Sequence, residues 1–218
     1  MYLSRLILNP QIRRVQREVA NPYEMHRSLM RAFADDLKEG DERVLFRLEQ
    51  GRNGTLTLLV QSWTLPDWSC LALPEFRGYL LPVGEPNPAV KSFNLDLVQG
   101  QVLAFRLRAN PTARRTFDDK KRRVGIYDEE EQFAWLKRKG DLGGFRVVSV
   151  RTLDRQDVGG TIKGDKKTHT LKLAAVQFDG LLEVTDPERL RQTVRKGIGS
   201  GKGFGFGLLS LARPHGFQ

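Results

Sequence analysis

The segment Asn21-Pro22-Tyr23-Glu24-Met25-His26 sets a phenol and an imidazole three residues apart. On a helix that spacing makes them surface neighbours. Asn21 is a good N-cap, Pro22 suits the first helical position, and Glu24 completes a capping-box signature, which predicts a helix over 22–38. Met25, Leu29, Phe33 and Leu37 form its apolar stripe, and Arg27 and Arg31 fall beside Tyr23, away from the stripe's centre. The first turn therefore offers a phenol, an imidazole, two guanidiniums and unpaired backbone N–H groups, a combination that attracts phosphate. The chemistry it suits is scission of RNA by its own 2′-hydroxyl. The 2′-oxygen must lose a proton, the 5′-oxygen must gain one, and a histidine titrating near neutrality serves either step. Cations offset the charge that builds on phosphorus. The competing reading is a packed helix histidine, since His26 lies at the edge of the apolar stripe.

A second constellation is the run from Gly197 to Gly207, in which every second residue is glycine. Without Cβ atoms the backbone of Gly199, Gly201, Gly203 and Gly205 can approach a polyanion closely, and Lys202 adds a charge. The run lacks the Gly-Lys-Ser/Thr ending of a Walker loop, which argues against a nucleotide triphosphatase. The third feature is basic. Residues 105–123 carry eight basic side chains, Arg106 and Arg108 among them, against two acids, and Lys163, Lys166, Lys167 and Lys172 surround an expected hairpin tip. Other chemistries find no support. His26, His169, His215 and the single Cys70 have no zinc-ligand spacing, the acidic runs have no two-metal pattern, and no pair of His-x-Thr/Ser motifs is present. No metal and no cofactor is expected.

The elements that must position these groups follow from composition and periodicity. The chain has 218 residues, 39% hydrophobic, enough for one large domain or two small ones. Its net charge of +10 is one-sided: residues 96–218 hold 24 of the 36 basic residues and 15 of the 26 acids. That imbalance favours a nucleic-acid partner for the second half. No uncharged apolar stretch is long enough to span a membrane, no secretion signal is visible, and the lone Cys70 fits a reducing cytoplasm.

In the first half, strands are expected at 2–9, 44–49 and 55–62, a short helix at 67–73, a strand at 76–83 and a linker at 84–95. In the second half, Leu103, Phe105 and Leu107 face one side of a strand. A helix at 128–139, strands at 145–152 and 170–178, a hairpin turn at Asp179-Gly180 into 181–185, a helix from Pro187 to Gly197 and a strand at 206–212 follow. Each half reads as β-α-β-β-α-β, an α+β chain of two tandem ferredoxin-like, RRM-like domains, 1–90 and 96–218.

With these residues in view the chain resembles the CRISPR repeat-processing endoribonucleases. Gly197-Ile198-Gly199, five residues, then Gly205-Phe206-Gly207 matches their C-terminal G-h-G-x5-G-h-G loop. Leu6-Ile7-Leu8-Asn9-Pro10, the Asn21–Arg27 segment and Phe105-Arg106-Leu107-Arg108-Ala109-Asn110-Pro111 resemble the CasE type, the guide-RNA-maturing subunit of the type I-E Cascade complex.

The resemblance implies metal-independent cleavage of CRISPR precursor RNA on the 3′ side of the repeat stem-loop. The ends would be a 2′,3′-cyclic phosphate and a 5′-hydroxyl. It also implies that the enzyme retains the guide RNA beside other Cascade subunits, with no DNA contact by this subunit alone and no membrane. The family's catalytic tyrosine and histidine map onto Tyr23 and His26. RNA contacts are expected from Arg27, Arg31, Arg106, Arg108, Lys163, Lys166, Lys167, Gly199, Gly201, Lys202, Gly203 and Gly205. A non-catalytic RNA-binding protein of the same fold and a purely structural ribonucleoprotein subunit are the alternatives.

Overall fold

The computed structural model describes residues 1–34, 43–51, 53–163 and 168–214, the side chains at 154–156 and 160–172 excepted. The chain divides into two compact units. The first is built on Met1–Asn94 and includes Gly159–Leu171 and Lys202–Gly205; the second holds Leu95–Val158, Lys172–Gly201 and the chain from Phe206 onward.

The first unit runs β1 (Tyr2–Leu8), α1 (Arg13–Ala20), α2 (Pro22–Met30), β2 (Leu45–Gln50), β3 (Leu56–Ser62), two short 3-10 turns at Trp68–Ala72 and Pro74–Phe76, and β4 (Ala89–Ser92). Its antiparallel sheet has the order β2-β3-β1-β4, the ferredoxin-like order. Alternation sets the faces. Ser4, Leu6 and Leu8 of β1 and Leu56, Leu58 and Val60 of β3 point to one side, with Leu6 opposite Leu58 and Leu8 opposite Leu56. Val15 of α1 and Met25 and Leu29 of α2 close over that side together with Phe46 and Phe76.

The second unit is built on β5 (Val102–Ala109), β6 (Thr112–Phe117), β7 (Lys120–Gly125), α3 (Glu129–Gly143), β8 (Phe145–Lys163), β9 (Thr168–Val184), α4 (Pro187–Lys196) and β10 (Leu209–Ala212), with the end of β8 from Gly159 and the start of β9 through Leu171 counted in the first unit. Its sheet order is β10-β5-β9-β8, the same arrangement. Leu103, Phe105 and Leu107 are buried on one face, as their alternation predicts. Asp128 and Asp186 cap α3 and α4 by accepting the N–H of Glu131 and Arg189.

Several expectations need correction. Asn21 makes no side-chain cap, and Glu24 instead pairs with Arg27 at 3.2 Å, so no capping box forms. The helical segment of α2 ends at Met30, and Leu37 lies outside the described residues. α1 went unforeseen: its N-cap is Ile12 with no capping side chain, and Val15 is its one buried aliphatic residue.

The segment 76–83 is not a strand; Leu80 makes a single bridge to Leu8, and β4 lies inside the expected linker. The reason is local. Backbone bonds from Asn9 N–H to the Tyr79 carbonyl and from Leu81 N–H to the Ile7 carbonyl flank that bridge, but the next pair does not form, because the Asn87 amide accepts the Ile7 N–H and donates to the Leu81 carbonyl. Asp179-Gly180 is not a turn either, because β9 continues through it. Asp179 faces Arg106 across the sheet, and a Cβ on Gly180 would stand 2.0 Å from the Ser149 carbonyl oxygen. A close strand approach, not a hairpin, requires that glycine.

Candidate active site

α2 supplies the two groups. Tyr23 and His26 lie one turn apart with ring centroids 6.4 Å from each other. Each is backed by a second ring from the same unit: Phe204 stacks on Tyr23 at 5.6 Å, and Phe46 of β2 lies parallel to His26 at 6.1 Å. Phe204 ends the 3-10 turn Lys202–Phe204, whose residues pack on α2 and β2. The stretch of the glycine run inside the first unit, Lys202–Gly205, thus forms one wall of the Tyr23/His26 site.

Gly203 shows why that wall is glycine: a Cβ there would lie 3.3 Å from His26 Cδ2. Gly205 combines φ +81° with a Cβ position 3.1 Å from Phe46. Gly205→Ala therefore costs roughly 1–2 kcal/mol of left-handed strain and presses on the ring that backs the imidazole. Its expected result is a lower melting temperature and slower cleavage in a thermal-shift and single-turnover comparison. Parent behaviour in both would show the loop to be adaptable.

Burial pushes the His26 imidazole below its usual value of 6.5, and its Nδ1 is buried without a hydrogen-bond partner. The free protein therefore holds His26 neutral at pH 7. The folded state binds this proton more weakly than the unfolded chain, so protonation destabilises the fold. That loss grows as pH falls from 6.5 toward the folded value. An NMR titration of the His26 ring in RNA-free protein should have its midpoint below 6.5; a midpoint above it would contradict the buried geometry.

The remaining expected site residues divide. Arg27 is ion-paired with Glu24, and Arg31 pairs with Glu75 at 2.8 Å while lying over the Phe76 ring. Both guanidiniums belong to the first unit but are held by carboxylates, so a phosphate would have to compete for them.

Gly199, Gly201, Arg106 and Arg108 belong to the second unit. Gly199 packs under Trp135, and Gly201 packs against Phe206, over which the Arg108 guanidinium lies at 5.7 Å. Arg106 holds Asp179 through two bonds of 2.9 and 2.7 Å. The side chain of Lys163 and the whole of Lys166 and Lys167 lie outside the described residues.

The basic segment 105–123 resolves into the end of β5 and a separate two-stranded ribbon, β6–β7, turning at Asp118 and Asp119, both with positive φ. Arg114 faces Arg123 and Arg115 faces Arg122 across the ribbon, all four exposed. Only Arg115 has a carboxylate partner among the ion pairs of the described residues, Glu131 at 2.7 Å. Phe46 and Phe204 are the site residues that sequence reasoning missed. Phe204 stood in the glycine run, but nothing in spacing says which ring it meets. Among the described residues no group of three or more His, Cys, Asp or Glu side chains is arranged to hold a metal ion.

The family described as CRISPR associated protein matches residues 1–213. The chain belongs to that family. Within it the chain is of the CasE type. It is 42% identical over 221 residues to CRISPR-associated endoribonuclease Cse3 of Thermus thermophilus, covering 97% of this chain and all of that one. It is 31% identical to the CRISPR system Cascade subunit CasE of Escherichia coli, with 97% and 99% covered. Among solved structures, Cse3 bound to a 19-nucleotide RNA superposes with a TM-score of 0.83 at 41% identity, over 97% of this chain and all of the other. This CRISPR-associated chain thus shares its two ferredoxin-like sheets with that structure. Among its described residues, no helix is long and apolar enough to cross a membrane.

Proposed function

We propose that this chain is the CRISPR endoribonuclease that cuts precursor RNA on the 3′ side of the repeat stem-loop. Its 1–90 and 96–218 segments act as catalytic and basic domains in the cytoplasm, and it keeps the guide RNA beside other Cascade subunits. The observation that carries the reading is the pair Tyr23 and His26 on one helical turn, each backed by an aromatic ring, with Gly203 packed against the imidazole. The neutral imidazole and the phenol share the two proton transfers, and the RNA's 2′-oxygen attacks phosphorus. The test is direct: incubate the purified chain with a stem-loop repeat RNA in EDTA and analyse the ends. A 2′,3′-cyclic phosphate and a 5′-hydroxyl are expected. Intact RNA, or cleavage only after a divalent metal is added, overturns the reading.

Tyr23→Phe keeps the ring stacked on Phe204 and removes only the hydroxyl. It should slow single-turnover cleavage, but less than removal of the imidazole. A parent rate would reduce Tyr23 to packing.

The β6–β7 ribbon supports the RNA-binding half of the proposal. Like charges placed directly opposite destabilise a ribbon, and two-stranded ribbons are marginal alone. Opposed arginines are therefore a cost that a polyanion would relieve. Each phosphate contact contributes about −0.7 to −0.9 to the slope of log affinity against log salt. Replacing Arg114, Arg122 and Arg123 with Gln should flatten that slope by about two to three contacts' worth. An unchanged slope would make them solvated charges.

A further inference from the structure

Behind α2, on the side away from the imidazole, lies a buried ionic cluster that the proposed chemistry does not use. Glu18 of α1 is 1% exposed, and three donors from three places converge on its carboxylate. Arg14 Nε donates to Oε1 at 2.9 Å, Ser28 Oγ to Oε1 at 2.7 Å, and the Tyr79 hydroxyl to Oε2 at 2.6 Å. Arg14 continues outward: its Nη2 donates to Ser28 Oγ at 3.3 Å, its Nη1 to the Glu75 carbonyl at 3.0 Å, and its guanidinium lies over the Phe76 ring at 3.9 Å. Burial and the Glu18 carboxylate push the Tyr79 hydroxyl's pKa far up, so it stays a donor.

Ser28 is the point at which this cluster grips α2. By helical geometry it lies about 200° around the axis from His26, with the apolar residues Met25 and Leu29 between. Apolar packing alone would hold a helix against a core at least as well as a buried ion cluster. What the cluster adds is direction, because a fully satisfied carboxylate accepts along fixed lines and admits one arrangement of its donors. Direction matters at this helix. The imidazole stands 3.3 Å from where a Gly203 Cβ would be, so a small roll or slide of α2 changes what the imidazole meets.

We infer that Glu18, through Ser28 and Tyr79, is a positioning residue that sets the roll and register of α2 and so places His26 for proton transfer. The inference rests on the nuclease reading given above. Displacing a catalytic group by about an ångström costs up to about a hundredfold in rate without loss of binding energy.

The experiment uses the full chain with Ser28→Ala, Glu18→Gln and Tyr79→Phe. Three quantities are measured well below the melting temperature: affinity for repeat RNA with a 2′-deoxy sugar at the cut, the single-turnover rate on all-ribo RNA, and the His26 ring resonance in RNA-free protein, assigned by its loss in His26→Ala. Folded Ser28→Ala and Glu18→Gln should bind within about twofold of the parent, cut about tenfold or more slowly, and show a displaced His26 resonance. A folded variant that cuts at the parent rate with an unmoved resonance overturns the inference. So does a loss of rate and affinity together, in proportion to the unfolded fraction. Should Glu18→Gln fail to fold, Ser28→Ala decides, since it removes one hydroxyl. A parent chain that leaves repeat RNA uncut overturns the nuclease reading instead, and the resonance still tests the placement of His26.

Discussion

His26→Ala slows single-turnover cleavage of the repeat RNA by about 10² to 10⁴, the usual contribution of one positioned acid or base. Affinity for uncleavable RNA stays close to the parent's. The two effects separate because of where the imidazole sits. It is half-buried against Phe46 and beside Gly203, and its neutral form carries no charge to offer a phosphate. Affinity comes from charge, and the chain's excess charge lies in residues 96–218. Replacing the ring also opens space beside Phe46, so the variant's melting temperature is measured first and rates are compared well below it. A folded variant that cuts at the parent rate would make His26 a packed helix residue and place the active site elsewhere.

Replacing the 2′-hydroxyl at the cut with hydrogen abolishes cleavage and leaves binding nearly intact. An imidazole and a phenol held by ring stacking move protons. In this reading neither attacks phosphorus, so the nucleophile is the adjacent 2′-oxygen of the RNA. One atom is removed from the substrate, and no phosphate contact goes with it, so the deoxy RNA becomes a tight, inert ligand. The measurement is a single-turnover gel with the deoxy and all-ribo RNAs side by side, plus a competition assay for affinity. Cleavage of the deoxy RNA, or products without a cyclic phosphate, would require another nucleophile and sink this mechanism even with His26 essential.

The pairing of Tyr23 with His26 was legible because helical periodicity alone makes residues three apart neighbours. The ferredoxin-like order of both sheets was legible for a related reason. Leu56, Leu58 and Val60 in one half and Leu103, Phe105 and Leu107 in the other alternate strictly, and Asp128, Asp186 and Pro187 announce helices chemically. What escaped depends on partners distant in sequence. Asp179-Gly180 has turn-forming residue types, but its actual constraints are Arg106 and the backbone of Ser149. Glu24 has the right offset for a capping box, yet Arg27 one turn on takes its carboxylate. Nothing in the order of residues says that Asn87 inserts between Ile7 and Leu81, or that Phe204 meets Tyr23.

The membership of Lys202–Gly205 in the first unit bears on how this gene can be cut and shuffled. Two tandem copies of one fold invite treatment as interchangeable cassettes joined near residue 95. The reading frame says otherwise: the ring that backs Tyr23 is encoded some 180 codons after it, past almost all of the second cassette. A gene fragment ending at residue 94 would encode Tyr23 and His26 without Phe204 or Gly203. Recombination between relatives at the midpoint would pair one parent's α2 with another parent's glycine run. Such chimaeras inherit a mismatched wall at the site wherever the two parents differ there, so crossovers are best tolerated when 22–30 and 202–205 come from the same parent.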